Sequence, residues 1–499
     1  MIRMAAMTAS TVFCFSLLLL LPHLGNTYHI VNAHASRQFV VRSSHNSSAA
    51  SMPRQTCPSV SSGAVVQFMH ELDRSRAAAN GNRLPLFHRL SPCSPLDGAP
   101  KRVPASSVDV VKRDAHRLRA FLLAAAAPAP APGVAVPVSV SDSIRLRGAL
   151  DYNLVVGYGT PPQLLPMSFD TFHRPIGFST LRCRPCSPGA DGCDARAFDP
   201  AKSSTFSRVA CGPECPAACD GPDGCLLRDL HSGTLVENGT FVKDTLALSP
   251  SATFPNFVLA CMDVDTVHNY TDSIGTLDLS RDRFSLAGQV SSSLTNGSNI
   301  DAGFSYCLPS TRSLGGFLSI GGALPDLTGN GAGSTHLVQD RNHTVQYLIH
   351  FSGINVAGTE VPVLPQGRLA ALDVGVSFTF LMPAFYTALR DEFRRQMAKY
   401  PPAPPYRTLD TCYNLTGLPE FDVPVISLEF EGGATLQPGM EQMMFFPDAS
   451  AAPFTYGCLA FAPMPNGFGF SVVGNMAQQT TEVVYDVRGG RVGFIPRSC

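Results

Sequence analysis

Two short apolar runs of the chain each end on an aspartate. The first is Met167-Ser168-Phe169-Asp170, and the second is Leu369-Ala370-Ala371-Leu372-Asp373. Each run predicts a buried strand followed by a tight turn, with one carboxylate at the end of a rigid strand. The two aspartates lie 203 residues apart (373 − 170), so the repeat predicts a chain built from two similar halves.

Short strands and turns dominate the rest of the pattern. Residues 152–162 predict a strand that runs into a turn, residues 226–248 a hairpin turning near Ser232-Gly233, and residues 304–308 another strand. One helix is predicted over 383–400, where apolar side chains recur on one face. With 41 Pro and 42 Gly spread along the chain, the pattern predicts an all-β fold with a few short helices.

Residues 1–35 predict a secretory signal peptide. A basic start at Arg3 precedes an apolar core, 12–21, that is too short to span a bilayer, and Ala33-His34-Ala35 offers a small-residue cleavage site. A retained anchor is the alternative. The signal predicts a secreted, extracellular protein, with a vacuole as the other destination, and no membrane attachment once it is removed.

Residues 36–136 differ in composition from the chain that follows. Residues 108–127 form a basic helical pattern that carries Lys112, Arg113, His116, Arg117 and Arg119, and a Pro-Ala linker follows at 128–132. We interpret 36–136 as a prosegment whose cations cover an acidic cleft until it is removed. A solvated helix and spacer is the alternative.

Charge and histidine spacing exclude several classes of function. The net charge is −1, which gives no electrostatic basis for binding nucleic acid or an acidic membrane surface. The 13 His show no metal-ligand spacing, so we expect no metal and no cofactor.

Cysteines and glycosylation sequons fit an oxidising compartment. Twelve of the 15 Cys lie in the main domain and are candidates for disulfides rather than for zinc: Cys183, Cys186, Cys193, Cys211, Cys215, Cys219, Cys225, Cys261, Cys307, Cys412, Cys458 and Cys499. N-glycosylation sequons begin at Asn46, Asn238, Asn269, Asn296, Asn342 and Asn414.

Two opposed aspartates suit acid-pH hydrolysis. Carboxylates held face to face cannot both ionise cheaply, so they share a proton. One carboxylate can then take a proton from water while the other donates one to a carbonyl. Asp170 and Asp373 are therefore the candidate catalytic pair.

The chain resembles pepsin-like aspartic proteases of family A1, in the plant nepenthesin-like branch. Besides the two Asp turns, matching stretches include Gly157-Tyr158-Gly159-Thr160-Pro161, the cysteine-rich insert, Asp410-Thr411-Cys412-Tyr413 and Val472-Val473-Gly474-Asn475-Met476. The resemblance implies a bilobal fold with a prosegment. It implies an N-terminal β lobe over 137–335 with the Cys-rich insert, a C-terminal β lobe over 336–499, and a polypeptide in the cleft between them.

The supporting residues of the site depart from that family's pattern. The first turn reads Asp170-Thr171-Phe172-His173 where the family has Asp-Thr-Gly-Ser, and the second reads Asp373-Val374-Gly375-Val376 where the family has hydroxyls on both sides of the glycine. Thr171 and Gly375 keep supporting roles, whereas Phe172 places a ring beside the pair and Val374 and Val376 lack hydroxyls.

Two further departures lie in the first half. The spacing of 225–248 places His231 at the position of the family's flap tyrosine. Asp278 stands where the family has a glycine that packs against the active turn. Two hypotheses follow: a secreted, monomeric aspartic endopeptidase with weakened or lost hydrolysis, or a non-catalytic homologue that binds a protein, such as an inhibitor of glycosidases.

Overall fold

The structure is a computed structural model, and it describes twenty stretches of the chain. These are residues 27–31, 38–44, 83–91, 94–96, 110–115, 117–118, 150–171, 177–183, 197–216, 224–231, 234–250, 252–263, 274–294, 303–310, 315–321, 324–328, 332–338, 346–361, 368–447 and 454–499.

Most of the elements are short strands. Those before residue 137 are β1 (Thr27–Val31), β2 (Gln38–Ser44) and β3 (Arg83–His88). Those of the first half are β4 (Tyr152–Tyr158), β5 (Gln163–Asp170), β6 (Thr180–Arg182), β7 (Ser207–Arg208), β8 (Leu226–His231), β9 (Thr234–Ser249), β10 (Ala252–Asp263), β11 (Gly275–Asp278), β12 (Phe304–Cys307), β13 (Gly316–Ile320) and β14 (Gly333–His336). Those of the second half are β15 (Leu348–Val356), β16 (Thr359–Val361), β17 (Leu369–Leu372), β18 (Thr379–Leu381), β19 (Pro402–Ala403), β20 (Cys412–Asn414), β21 (Glu420–Pro424), β22 (Ile426–Phe430), β23 (Thr435–Leu436), β24 (Met444–Phe445), β25 (Tyr456–Leu459), β26 (Phe461–Pro463), β27 (Ser471–Val473), β28 (Glu482–Asp486) and β29 (Arg491–Ile495).

The described helices are few and short. They are α1 (110–115 and 117–118), α2 (Leu286–Leu294), α3 (Pro383–Gln396), α4 (Met440–Met443) and α5 (Asn475–Gln478), with 3₁₀ turns at Pro200–Lys202 and Glu431–Gly433. The predicted all-β class with a few short helices is confirmed.

One large sheet joins the two halves of the chain. Its strand order is β14-β29-β28-β12-β13-β3-β4-β5-β11-β6-β10-β9-β7, with β8 paired to β9. The C-terminal strands β28 and β29 thus lie beside first-half strands. Strand β3, which belongs to the predicted prosegment, lies between β13 and β4 in this sheet.

The second half forms its own sheets over a shared core. Eight strands run in the order β23-β22-β15-β17-β27-β18-β26, with β16 on β15, and β19-β20-β25-β24 form a smaller sheet. Buried aromatic rings from both halves, among them Phe169, Phe304, Phe351 and Phe494, belong to one apolar cluster.

The helix predicted over 383–400 ends earlier, at Gln396. Phe385, Leu389 and Phe393 are buried on one face as the pattern predicted, and Met397 caps the helix outside helical geometry. Pro401 disfavours the helical conformation at the preceding Tyr400, and residues 397–400 form a turn and a bend instead.

Disulfides connect several of the predicted cysteines. The described pairs are Cys183–Cys261, Cys215–Cys225, Cys307–Cys499 and Cys412–Cys458, and Cys211 is also disulfide-bonded. Cys186, Cys193 and Cys219 lie outside the described residues. Cys307–Cys499 ties β12 to the C-terminus, and Cys412–Cys458 ties β20 to β25. The expectation of disulfides is therefore confirmed for these pairs.

No helix within the described part of the chain is long and apolar enough to cross a membrane. The residues of the predicted signal core lie outside the described ranges, and β1 falls within the predicted signal peptide.

Candidate active site

The two aspartates occupy equivalent places in the two halves. Asp170 is the last residue of β5, and Asp373 directly follows β17; both are buried. A second strand runs parallel to each, β11 beside β5 and β27 beside β17. Leu279 donates its N–H to the Asp170 carbonyl at 2.8 Å, and Asp373 donates its N–H to Val473 at 3.0 Å. The backbone that carries each carboxylate is thus fixed by hydrogen bonds to the neighbouring parallel strand.

A single guanidinium brings the two carboxylates together. Nη2 of Arg117, from helix α1, donates to Oδ1 of Asp170 at 2.7 Å and to Oδ1 of Asp373 at 2.8 Å. Nε of Arg117 donates to Oδ2 of Asp373 at 2.9 Å. The two side chains therefore face each other closely enough to share one hydrogen-bond donor.

Gly375 makes room for this guanidinium. Its N–H donates to Oδ1 of Asp373 at 2.8 Å. A Cβ atom at this position would lie 2.4 Å from Cζ of Arg117, far inside contact distance. The glycine retained in the second turn is thus needed for the observed approach of Arg117.

Burial and charge set the protonation of this cluster. The pKa of Asp373 is raised to about 6; burial raises it most, Asp170 adds to the rise, and Arg117 opposes it. Burial alone would lower the pKa of Arg117, but the two carboxylates raise it above its ordinary value. The guanidinium therefore stays charged, while Asp373 takes up a proton in mildly acidic solution.

A second ion-pair cluster lies around Asp151. Arg113 of α1 binds this carboxylate with both Nη atoms, at 2.8 and 2.7 Å, and Arg89 approaches it at 3.4 Å. From the second half, Ser377 Oγ and Asn475 Nδ2 donate to the same carboxylate at 3.2 and 3.1 Å. Burial would raise the pKa of Asp151, but Arg113, His88 and Arg89 together lower it below its ordinary value.

Asp114 fastens α1 to the turn beyond Asp373. Its Oδ2 accepts the backbone N–H groups of Ser377 and Phe378, both at 2.9 Å. Burial raises the pKa of Asp114 to about 7, against the opposing effects of Arg113 and these two N–H donors. Val111 and Leu118 of the same helix are buried in an apolar cluster of the second half. Helix α1 is therefore seated through both polar and apolar contacts.

The brace between the two turns is present on one side. Thr171 Oγ1 donates to the carbonyl of Leu372 at 3.2 Å, which links the first turn to the second half. Val374 and Val376 are both buried, and neither has a hydroxyl to make the matching bond. The hydrogen bond from Thr171 therefore braces the two turns from the first-half side, and Val374 and Val376 cannot brace them from the second-half side.

Asp278 is accommodated by bonds within its own turn. It ends β11 opposite Asp170, and it is fully buried. Its carboxylate accepts the N–H of Ser280 at 3.2 Å and the Ser280 hydroxyl at 2.9 Å, and its own N–H donates to Ser179 Oγ at 3.1 Å. Local hydrogen bonds therefore satisfy the carboxylate at a position where the resemblance drawn from the sequence implies a glycine.

The structure does not describe the side chains of several predicted site residues. Phe172 and His173 lie outside the described residues, and His231 is described only as the last residue of β8. Of the sequons, Asn414 ends β20 and is exposed. Within the described ranges, no group of three or more His, Cys, Asp or Glu side chains could hold a metal ion.

Sequence reasoning did not single out Asp151, Asp114 or Ser377. Asp151 directly precedes the apolar strand β4, and that position is the one signal that could have identified it. The basic helix itself was identified, but the prediction did not specify which cations are buried. Arg113 and Arg117 are buried whereas Lys112 is exposed, so the alternative of a solvated helix fails for these two arginines.

Known protein families and individual relatives match most of the chain. Residues 152–322 match a family model described as xylanase inhibitor N-terminal, and residues 346–496 match one described as xylanase inhibitor C-terminal. Aspartyl protease AED3 of Arabidopsis thaliana is 30% identical, over 82% of this chain and 89% of that protein. Aspartyl protease 25 of Oryza sativa subsp. japonica is 28% identical, over 83% of this chain and 94% of that protein.

Solved structures with the same fold are more distant in sequence. The structure titled crystal structure of edgp has a TM-score of 0.53 at 17% identity and covers 69% of this chain and 91% of that one. Basic 7S globulin from soybean has a TM-score of 0.51 at 18% identity, over 70% of this chain and 91% of that one. These two likenesses concern the fold alone.

Proposed function

Because the chain belongs to the pepsin-like aspartyl protease family of plants, we propose that it is the secreted precursor of an acid-acting endopeptidase. In this proposal, residues 36–136 are a prosegment, and Asp170 and Asp373 hydrolyse peptide bonds once that prosegment has left the cleft. The observation that carries the proposal is the contact of one Arg117 nitrogen with both carboxylates. This contact supports an assembled pair whose place in the cleft is taken by the prosegment.

The proposed chemistry follows from removal of the guanidinium. Without Arg117, two buried carboxylates face each other with no cation between them, and they hold a single proton at acid pH. The ionised member takes a proton from water, and the protonated member donates its proton to the carbonyl oxygen of the peptide bond. Gly375 N–H fixes the orientation of the Asp373 carboxylate. No metal or cofactor is needed for this reaction.

We further propose that hydrolysis is slow. A hydrogen bond to a charged group contributes about 1.5–3 kcal/mol. A hydroxyl missing at Val376 removes such a bond to the carboxylate, which corresponds to a rate loss of roughly tenfold to a hundredfold when the bond is used in the transition state. The hydroxyl missing at Val374 removes a brace of the kind that Thr171 makes to the neutral carbonyl of Leu372. In this proposal, Thr171 keeps one link between the turns and so maintains the geometry of the pair, while fewer hydroxyl donors stabilise the ionised carboxylate.

The second candidate function is a non-catalytic module that binds a protein in the cleft. The description of the matching family models as xylanase inhibitor domains favours it, as do the lost hydroxyls and the ring at Phe172. In this case the two carboxylates remain as part of the scaffold.

One experiment separates the two candidates. A specific protease site placed in the linker at 128–132 allows the prosegment to be removed, and the product is incubated with a denatured protein at roughly pH 2–6, the range in which carboxyl groups titrate. The endopeptidase predicts slow cleavage that a statine-type inhibitor stops and that Asp170→Asn abolishes. Absence of cleavage, together with unchanged capture of a protein partner by Asp170→Asn, would instead establish the binding module.

A further inference from the structure

The N-terminal strand β2 covers an edge of the second half. It pairs antiparallel with β21, in a register that runs from Gln38 opposite Pro424 to Arg42 opposite Glu420. Among the described strands, β21 has no other ladder partner. Departure of β2 would therefore leave a row of backbone groups on β21 without their partners.

Strand β21 is held in place independently of β2. Phe421 and Val423 are buried in the main core, and the Phe421 ring packs against Tyr400, with ring centroids 6.4 Å apart. The Asp422 N–H donates to the Tyr400 hydroxyl at 2.5 Å, and Lys399 Nζ lies 2.6 Å from Asp422 Oδ2. These contacts with Tyr400 and Lys399 do not involve β2.

Strand β2 combines an extended backbone with a buried apolar side chain, as a strand-like ligand would. Phe39 is buried and belongs to the same apolar cluster as Phe421 and Val423. The register places Phe39 opposite Val423, so a buried aromatic residue and a buried aliphatic residue form a cross-strand pair. A basic residue, Arg42, stands opposite Glu420 at the end of the ladder.

Processing separates the two strands of this pair. Strand β2 begins three residues after the predicted signal cleavage site and lies within 36–136, whereas β21 belongs to the second half. Removal of a prosegment by a cut further along the chain would leave the covering strand without a covalent link.

We propose that β21 is a strand-docking edge and that it holds β2 (Gln38–Ser44) of this chain as part of a separate peptide after the prosegment is cut. Main-chain hydrogen bonds supply the affinity and the Phe39 position supplies the specificity, as in other cases of β-strand addition. The proposal rests on the proposed precursor function for its biological setting. It does not depend on peptide hydrolysis by Asp170 and Asp373.

The test cuts the secreted chain between β2 and β3 and leaves β3 and α1 attached. A specific protease site is introduced within 45–82, the chain is cut, and native mass spectrometry follows the N-terminal fragment. We expect the fragment to stay bound, and amide hydrogen exchange at 420–424 to remain slow. After the fragment is washed out under mild denaturation and the protein refolded, exchange at 420–424 should be fast.

Synthetic peptides then measure the specificity while the protein itself stays unchanged. A peptide of residues 36–46 should restore slow exchange, and its Phe39→Asp form should bind at least about tenfold more weakly, since an aromatic anchor is lost. The matched control is Val40→Thr, which changes the residue next to Phe39, keeps strand propensity and should bind like the parent peptide. The proposal is overturned if the fragment leaves as soon as it is cut, or if neither it nor the peptide slows exchange at 420–424. Equal binding of the Phe39→Asp peptide would also overturn it. Failure of peptide hydrolysis in the processed protein would leave each of these readouts unchanged.

Discussion

Arg117 is the residue on which the proposed inactive precursor depends. Its guanidinium places one positive charge between two buried carboxylates that would otherwise repel each other, and it binds Asp373 through two nitrogens. Removing one partner of such a buried pair costs about 3–5 kcal/mol. The exposed Lys112 on the same helix makes no comparable contribution.

Arg117→Ala is therefore expected to weaken the docking of α1 by about 3–5 kcal/mol at neutral pH. Amide hydrogen exchange of residues 110–115 in the full chain measures this change. Arg117→Lys should lose less, because an ammonium keeps the charge but not the two-nitrogen contact. Lys112→Ala is the control and should exchange like the parent. Equal exchange in Arg117→Ala and the parent would show that the guanidinium does not hold the helix.

Val376 is buried three residues after Asp373, where the resemblance drawn from the sequence implies a hydroxyl. Val376→Thr has nearly the same volume and introduces that O–H. If the missing bond limits catalysis, kcat/KM of the processed protein should rise by about tenfold or more. Val376→Ala, which removes packing without adding a donor, should give no increase. A correctly folded Val376→Thr protein with unchanged kcat/KM would contradict the explanation for slow hydrolysis.

At the scale of elements, the docking of α1 depends on pH through two carboxylates, Asp373 and Asp114, whose titrations have opposite effects. Burial raises the pKa of Asp373 to about 6 and Arg117 opposes the rise, so loss of the Arg117 contact favours proton uptake there, and the contribution of this contact to docking declines as pH falls toward about 6. Docking raises the pKa of Asp114 to about 7 by burial, so a proton taken up below pH 7 favours the docked helix. The two effects partly cancel on acidification.

Asp114→Asn should therefore make acid release of α1 steeper. The amide oxygen can still accept the N–H groups of Ser377 and Phe378, but the compensating titration is gone. Hydrogen exchange of 110–115, measured in steps from neutral pH to about pH 4, compares the variant with the parent across the range in which both carboxylates titrate. Identical pH dependence in the two proteins would rule out a role for Asp114 in the response.

The elements themselves could be predicted from sequence to different degrees. Local periodicity was sufficient to predict β4, β5, β17 and the start of α3. The signals for these elements, apolar spacing and turn residues, lie within a few positions of one another in the sequence. The end of α3 was missed by four residues, since the pattern of apolar residues continued through Met397 although the helix did not. The position of β3 inside the large sheet could not be predicted, because strand pairing across hundreds of residues leaves no local signal.

At the scale of the whole molecule, Asp151 connects three parts of the chain. It binds Arg113 and Arg89 of the predicted prosegment and Ser377 and Asn475 of the second half. The opposed aspartates were predictable because the chain repeats a strand that ends on a carboxylate. Asp151 was not, because its partners come together only in the folded chain.

Asp151→Asn should destabilise the full chain by about 3–5 kcal/mol, because it leaves Arg113 buried without its carboxylate. The loss should be much smaller in the processed protein, from which Arg113 has been removed. Since the pKa of Asp151 is lowered in the folded state, its contribution is present above about pH 4 and is lost as pH falls below that value. Denaturant unfolding of both forms at neutral pH measures the difference, and an equal loss in the two forms would contradict it.

The central claim is that two carboxylates form one assembled pair that Arg117 occupies. Titration with a statine-type inhibitor, whose hydroxyl binds between two such carboxylates, tests this without requiring turnover. We predict tight binding to the processed protein, much weaker binding to the full chain, and loss of binding in processed Asp170→Asn. Absence of binding to a correctly folded processed protein, or binding that Asp170→Asn leaves unchanged, would contradict the account.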